Sequence, residues 1–276
     1  MTQGWTCRLA VVGLTGNTVF MGVPHFHRGG ETIHASDFHA EFGGKGFNQA
    51  VAAARQGAKV SLLTAVGPAD ARALHEFLLG EGMDGVLSVK REPSAHATIL
   101  TDGSGETRVT VYPGARLDPV DVDSFVDRIA AADLLLLNNE VPEEVNLRAS
   151  EIAAANGVKI IFNPAPARPL PDVLASRVFL FTPNAFEEEA LGDVPREVVT
   201  TLGVRGCRIR STGQMLPAPE VVAVDSTGAG DTFTAVLAVR LAEGVALEEA
   251  CRAANEAAAQ SVTVRYVLPS LPRRGC

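Results

Sequence analysis

Aromatic residues are scarce in this chain: 1 Trp and 2 Tyr stand among 276 residues, and only Phe, with 12, is frequent enough to furnish a core. Cysteine is sparse too. Cys7, Cys207, Cys251 and Cys276 fall at no metal-ligand spacing, and a chain this long buries a core without disulfide staples. Positive charge is in deficit, with a formal net charge of −8, which argues against a nucleic-acid backbone as main partner. No apolar run approaches the roughly 18–20 residues that span a bilayer, so no membrane partner is expected. The amino-terminal Met1-Thr-Gln-Gly-Trp5 lacks the charged region and apolar run of a signal peptide. These absences together imply a reduced, cytoplasmic setting. What is present is ordinary globular material, 46% hydrophobic and 20% charged.

The most informative stretch is Asp225-Ser-Thr-Gly-Ala-Gly-Asp231-Thr-Phe-Thr234. Upstream, Glu220-Val-Val-Ala-Val224 reads as a short buried strand. Downstream, Phe233, Val236, Leu237 and Leu241 have helical spacing. Two glycines and an aspartate therefore sit where a strand turns into a helix N-terminus. Unpaired N–H groups and the helix dipole favour an anion there. A carboxylate beside such a cup suits phosphoryl transfer to a hydroxyl, although the same pattern also occurs as a plain tight turn.

A second glycine cluster, Phe42-Gly-Gly-Lys-Gly-Phe-Asn48, opens a helix to about Gln56, with Phe47, Ala50, Val51 and Ala54 on one face. It is not a P-loop, because Gly46 follows Lys45 where the metal-binding hydroxyl belongs. The dinucleotide fingerprint after the first strand is also missing, which argues against a nicotinamide-dependent oxidoreductase.

Elsewhere strands and helices alternate. Strands are expected at residues 9–13, 59–66, 133–138, 159–163, 177–182, 197–201 and 207–211. Helices are expected at 69–81, near Val122–Ile129, and at 142–156 and 248–262. This order predicts a mostly parallel sheet with helices on both faces. Residues 18–41 hold Pro24, Gly29, Gly30 and four of the six histidines. They read as short strands of a partly exposed flap, which a hairpin of 95–101 and 107–112 would complete. His25 and His27 could share a strand face, but no third metal ligand lies at useful spacing.

At this point the chain resembles the ribokinase-like (PfkB-type) carbohydrate kinases over nearly its whole length. Gly43-Gly-Lys-Gly-Phe-Asn48 and Asp225-Ser-Thr-Gly-Ala-Gly-Asp231 carry the resemblance. Asn163-Pro-Ala-Pro-Ala, Thr182-Pro-Asn184 with Glu187, and Thr201-Leu-Gly with Gly206 lie between them in the family's order. The resemblance implies one three-layer α/β domain over 1–276 with a small β-lid at roughly 15–42 and 94–113. It implies ATP-dependent phosphorylation of a primary hydroxyl on a sugar or sugar-like molecule. Asp231 would be the base, and Gly228, Ala229 and Gly230 the anion hole. Asn17, Gly43, Gly44, Lys45, Asn48 and Glu140 would hold the acceptor. Asn184, Thr201, Gly203, Gly206 and Asn255 would serve ATP, and Glu187 would hold Mg²⁺ through water. Asp225 and Thr227 would hold a monovalent cation, K⁺. The lid would also serve as a homodimer surface. A nucleoside kinase of the same family and a non-catalytic sugar- or nucleotide-binding relative are the alternatives.

Three departures from the family pattern stand out. Thr18 or Val19 occupies the place of a sugar-gripping Asp after Asn17, Pro68-Ala-Asp70-Ala replaces an Asp-Asp loop, and the chain is short at 189–198 and 211–219. The first should alter acceptor choice, because a buried carboxylate that takes two hydroxyls is a strong discriminator. The last should leave the nucleotide side more open.

Overall fold

The computed structural model describes residues 6–275; Met1–Trp5, where no signal peptide was read, and Cys276 lie outside the described residues. In chain order the strands are β1 (Arg8–Val12), β2 (Gly16–Gly22), β3 (Asp37–Gly43), β4 (Lys59–Val66), β5 (Asp84–Val89), β6 (Ala95–Thr101), β7 (Thr107–Tyr112), β8 (Leu134–Asn138), β9 (Lys159–Asn163), β10 (Leu180–Phe181), β11 (Glu197–Thr201), β12 (Cys207–Ile209) and β13 (Met215–Leu216). The helices are α1 (Lys45–Arg55), α2 (Ala71–Gly80), α3 (Pro119–Asp123), α4 (Val126–Ala130), α5 (Glu143–Ala155), α6 (Asp172–Arg177), α7 (Ala185–Leu191), α8 (Ala229–Ala242), α9 (Leu247–Ser261) and α10 (Val267–Ser270).

Nine strands form one sheet in the order β13-β12-β11-β10-β9-β8-β1-β4-β5. It is parallel from β5 to β11, and β12 and β13 return antiparallel. Its central strands are apolar on both faces because both faces are covered. Leu9 and Val11 of β1 enter one core with α1, α8 and α9, while Ala10 and Val12 enter a second core with Val122, Ile129 and Val145. Leu134 and Leu136 divide from Leu135 and Leu137 in the same way. The result is three layers, helix over sheet over helix. Helix α8 is apolar on all sides and buried from Asp231 to Val239, since it packs against both α1 and α9.

The other sheet has four strands in the order β3-β2-β6-β7. β2 runs antiparallel to β3 and parallel to β6, and β6 with β7 forms the hairpin closed at Asp102.

Several sequence expectations change. Residues 220–224 form no strand, and Val221, Val222 and Val224 are exposed. Pro217 and Pro219 interrupt the backbone donors that a ladder beyond β13 would need, and the N–H groups of Val224 and Asp225 turn instead to Val262 O. The strand expected at 177–182 shrinks to Leu180–Phe181: Arg177 closes α6, and Val178 and Phe179 form the link between helix and strand. The helix around Val122–Ile129 is two short ones. β5 and β13 were not anticipated.

One backbone position is strained. Tyr266 has φ 66 and ψ 162, the only non-glycine residue with positive φ among the described residues. That region is nearly glycine-only and costs a side-chain-bearing residue roughly 1–3 kcal/mol.

Phe47 is fully buried where α1 meets the sheet, with its ring 5.4 Å from Phe77 and 6.1 Å from Phe42. Phe47→Ala should therefore lower unfolding free energy by about 3–5 kcal/mol, read by urea denaturation.

Candidate functional site

Two helix N-termini face each other beyond the carboxyl ends of β1, β8 and β9. Helix α1 begins after Gly44 and α8 after Gly228, and both turns need glycine. Gly44 has φ 111, and a Cβ there would stand 2.6 Å from Leu14 O. Gly228 has φ 80, and its Cβ would stand 2.7 Å from Val267 Cγ1. On the outer side of the second turn, a Cβ on Gly230 would meet nothing within 4 Å, so the cup is open to a ligand. The N–H of Ala229 is turned to Ser226 O at 3.3 Å, whereas those of Gly230 and Asp231 have no protein acceptor among the described residues.

Asp231 joins the two turns. Its carboxylate is 6% exposed and accepts from Asn48 Nδ2 at 2.9 Å and Gln49 Nε2 at 3.0 Å. Those partners lie 183 and 182 residues upstream. Gln49 also reaches Asn163 Oδ1 at 3.4 Å, and Asn163 donates to Thr182 O at 2.7 Å. Gln49 was not singled out from the sequence. By helical spacing it lies opposite the face of Phe47, Ala50, Val51 and Ala54, where a polar side chain reads as solvated, yet the position proves fully buried.

Lys45 and Glu140 stand beside the α1 turn. The backbone N–H of Lys45 donates to Glu140 Oε2 at 2.6 Å, and Glu140 N–H donates to Asn138 Oδ1 at 3.0 Å. The Lys45 ammonium is held above its ordinary pKa, first by the Asp231 charge and then, against burial, by Glu140 and Glu187. Glu140 is pushed up to about 7 by burial, with Asp231 adding to the rise and Lys45 opposing it. Asn48 Oδ1 is buried and without a partner among the described residues, an acceptor left over for a hydroxyl.

Strand alternation separates Asn17 from Gly43, two residues expected to hold the acceptor. Gly16 pairs with Gly43 and Thr18 with Glu41, so Thr18 shares a face with Gly43; its Oγ1 fills the space a Gly43 side chain would need. Asn17 pairs with Phe42 on the other face. Its Nδ2 donates to Asp70 Oδ2 at 3.0 Å, and it borders an open groove of about 600 Å³ with Phe42 and Phe77. The structure thus does not bring Asn17 to Asp231 and Lys45. Thr18 occupies that face.

On the other side, Asn184 and Glu187 form a reciprocal cap on α7: Glu187 N–H donates to Asn184 Oδ1 at 2.8 Å, and Asn184 N–H to Glu187 Oε2 at 2.9 Å. Asn184 bridges to Thr201, whose N–H donates to Pro183 O at 2.8 Å. Gly203 and Gly206 frame the turn after β11, closed by Leu202 N–H to Gly206 O. Asn255 is 4% exposed and spends Nδ2 on Leu216 O at 3.0 Å, holding β13 in place rather than facing an open cleft. Asp225 Oδ1 accepts from Thr227 N–H at 2.9 Å and Oδ2 from Tyr266 N–H at 3.0 Å. His25 pairs with Glu31, and no metal-holding group of three ligands occurs among the described residues.

Comparison with known proteins gives one consistent answer. The family described as pfkB family carbohydrate kinase matches residues 7–274. A ribokinase of Haemophilus influenzae is 34% identical over 96% of this chain and 95% of its own. One of Bacillus subtilis is 36% identical over 90% of each. The crystal structure of the Thermotoga maritima ribokinase superposes with TM-score 0.87 at 30% identity, over 98% of this chain and 97% of that one. Arabidopsis thaliana ribokinase, complexed with ribose and ATP, has TM-score 0.87 at 27% identity, with coverage of 98% and 97%.

Because the native pKa of Glu140 is raised, the folded protein binds more protons than the unfolded chain between pH 4.5 and about 7. Glu140 therefore withdraws stability as pH rises through that window. Glu140→Gln should remove that decline, read as melting temperature against pH for the two proteins.

Proposed function

Because the chain belongs to the pfkB family of carbohydrate kinases, we propose that it transfers the terminal phosphoryl group of ATP to a primary hydroxyl of ribose or a ribose-like sugar. One observation carries the reading: the Asp231 carboxylate is fixed by Asn48 and Gln49 at the mouth of an open helix N-terminus. Asp231 takes the proton of the acceptor hydroxyl as its oxygen bonds to phosphorus and ADP departs. The N–H groups of Gly230 and Asp231 at the α8 terminus stabilise charge on the transferring group. Positioning of the acceptor and electrostatic stabilisation at the α8 terminus provide most of the acceleration.

The donor set fits a divalent cation. Lys45 is the ammonium facing Asp231, Glu140 and Glu187, so a polyphosphate entering here needs more positive charge than the side chains offer. Asn184 and Glu187 would hold Mg²⁺ with its waters, and the ion would neutralise phosphate charge. Each Asp225 oxygen keeps a lone pair beyond its backbone donor, so Asp225 and Thr227 retain the capacity to hold K⁺. Exposed Val222, Val224 and Val264, joined by the Val224 N–H to Val262 O bond of 2.7 Å, offer an apolar surface to a base. Thr201, Gly203 and Gly206 line the same nucleotide side.

The small sheet acts as a lid, and Phe38 and Tyr112, exposed at 64% and 49%, suit it to meet a second copy of this chain. At the acceptor, Glu140, Lys45 and Asn48 hold hydroxyls, and Thr18 offers a hydroxyl where a carboxylate would grip two.

The test is ADP release with Mg-ATP and K⁺ across sugars and nucleosides; nucleosides are included because Thr18 changes the acceptor wall. Turnover on a pentose is expected. Silence across the panel, with ligand-induced thermal shifts retained, would identify a binding protein instead. Asp231→Ala should lose roughly 10²–10⁴-fold in kcat. Chelating the divalent ion should stop ADP release until Mg²⁺ is restored.

A further inference from the structure

A short carboxy-terminal segment, residues 265–268, lies outside both glycine motifs and touches both halves of the site. Tyr266 is its centre. Toward the phosphoryl side, its N–H donates to Asp225 Oδ2 at 3.0 Å, and Thr227 N–H holds the other oxygen of that carboxylate. The next residue, Val267, is buried with Cγ1 against Gly228, at the very start of α8.

Toward the acceptor side, the Tyr266 hydroxyl donates to Asp37 Oδ2 at 2.6 Å. Its ring stacks on His39 at 3.9 Å and 14°, and lies 5.3 Å from Phe20. Arg265 pairs with Asp37 at 2.8 Å. The N–H groups of Val267 and Leu268 both donate to the Glu41 carboxylate, at 2.9 and 3.2 Å. Phe20 pairs with His39 and Thr18 with Glu41, so these contacts grip the face of the small sheet that carries Thr18 and Gly43.

Anchoring the chain terminus does not require this tyrosine. Arg55 Nη1 bonds Leu271 O at 3.2 Å, Gln56 bonds Pro272 O at 3.0 Å, and Arg274 N–H bonds Arg55 O at 3.0 Å. The backbone there favours glycine, so a residue with φ 66 and ψ 162 keeps a side chain only where surrounding contacts hold it. The contacts that hold Tyr266 are divided between the Asp225–Gly228 turn and strands β2 and β3.

We propose that Tyr266 is a positioning residue that couples the two halves: it sets the small sheet over the acceptor according to whether the Asp225–Gly228 turn is formed. The proposal rests on the kinase reading for its kinetic consequence, and on the contacts alone for the coupling itself.

Two variants separate its parts. Tyr266→Gly suits the backbone and keeps the N–H to Asp225, but removes the ring and hydroxyl from the sheet. Tyr266→Phe removes only the bond to Asp37. With the acceptor found by ADP release, Tyr266→Gly should raise KM for the acceptor about tenfold and Tyr266→Phe about threefold, the scale of lost contacts and one lost hydrogen bond. In Tyr266→Phe, which keeps the ring and the bond to Asp225, the kcat and the KM for ATP should stay within about twofold. Equal rises in both KM values, or a fall in kcat at unchanged acceptor KM, would overturn the proposal. Amide hydrogen exchange on the ligand-free proteins tests the coupling without turnover. Exchange should quicken in Tyr266→Gly at β3 and at residues 225–230 together, with α5 unchanged. Quickening at β3 alone would overturn the coupling. Should the wild-type protein phosphorylate nothing, the kinase reading fails while the exchange comparison still decides whether Tyr266 links the two halves.

Discussion

The structure depends on one buried carboxylate being held from two sides. Asp231 belongs to α8, yet the amides that fix it belong to α1, which enters the chain far earlier. An unpartnered carboxylate so nearly buried would be costly, so the two helices must arrive with their first turns in register. The three-layer packing delivers this. α1 and α8 share one face of the sheet, and α8 can be apolar all round because α1 and α9 cover it. Bond by bond the arrangement is modest. Its value is that the Gly44 and Gly228 turns cannot drift apart while both bonds persist.

Charge is the second organising quantity. Lys45 faces several carboxylates, and burial, with the Asp231 charge beside it, pushes the Glu140 pKa up to about 7. On the kinase reading proposed above, the guest brings its own cation, and a chain with formal net charge −8 receives it because donors at two helix termini act locally while salt screens the global field.

Much of this was legible in the sequence, for physical reasons that differ by element. β4, β6, β7 and β9 could be read to the residue because apolar runs or alternation end at glycine, proline or asparagine. The two glycine turns were legible because few residues tolerate such backbones. Asn17 was misplaced because a shift of one residue along a strand reverses its face, and spacing alone does not settle register. Asn255 was taken for a nucleotide contact, although a buried amide is as readily used to hold a strand. Residues 220–224 have a strand's composition, but a strand needs a neighbour and the prolines before it remove one. Gln49 and Tyr266 were invisible because their importance lies in partners far away in sequence.

The brevity of β13 has a consequence for the protein's life in a crowded solution. It is one of the two outermost strands of the large sheet, only two residues long, and Pro217 follows it at once with Pro219 beyond. A sheet whose central strands are continuous runs of leucine, isoleucine and valine would be a dangerous template if its rim offered a long row of free backbone groups. Here the rim stops before another chain can add to it. The same prolines that deny β13 a further neighbour within the chain also keep other molecules from extending the sheet at this rim.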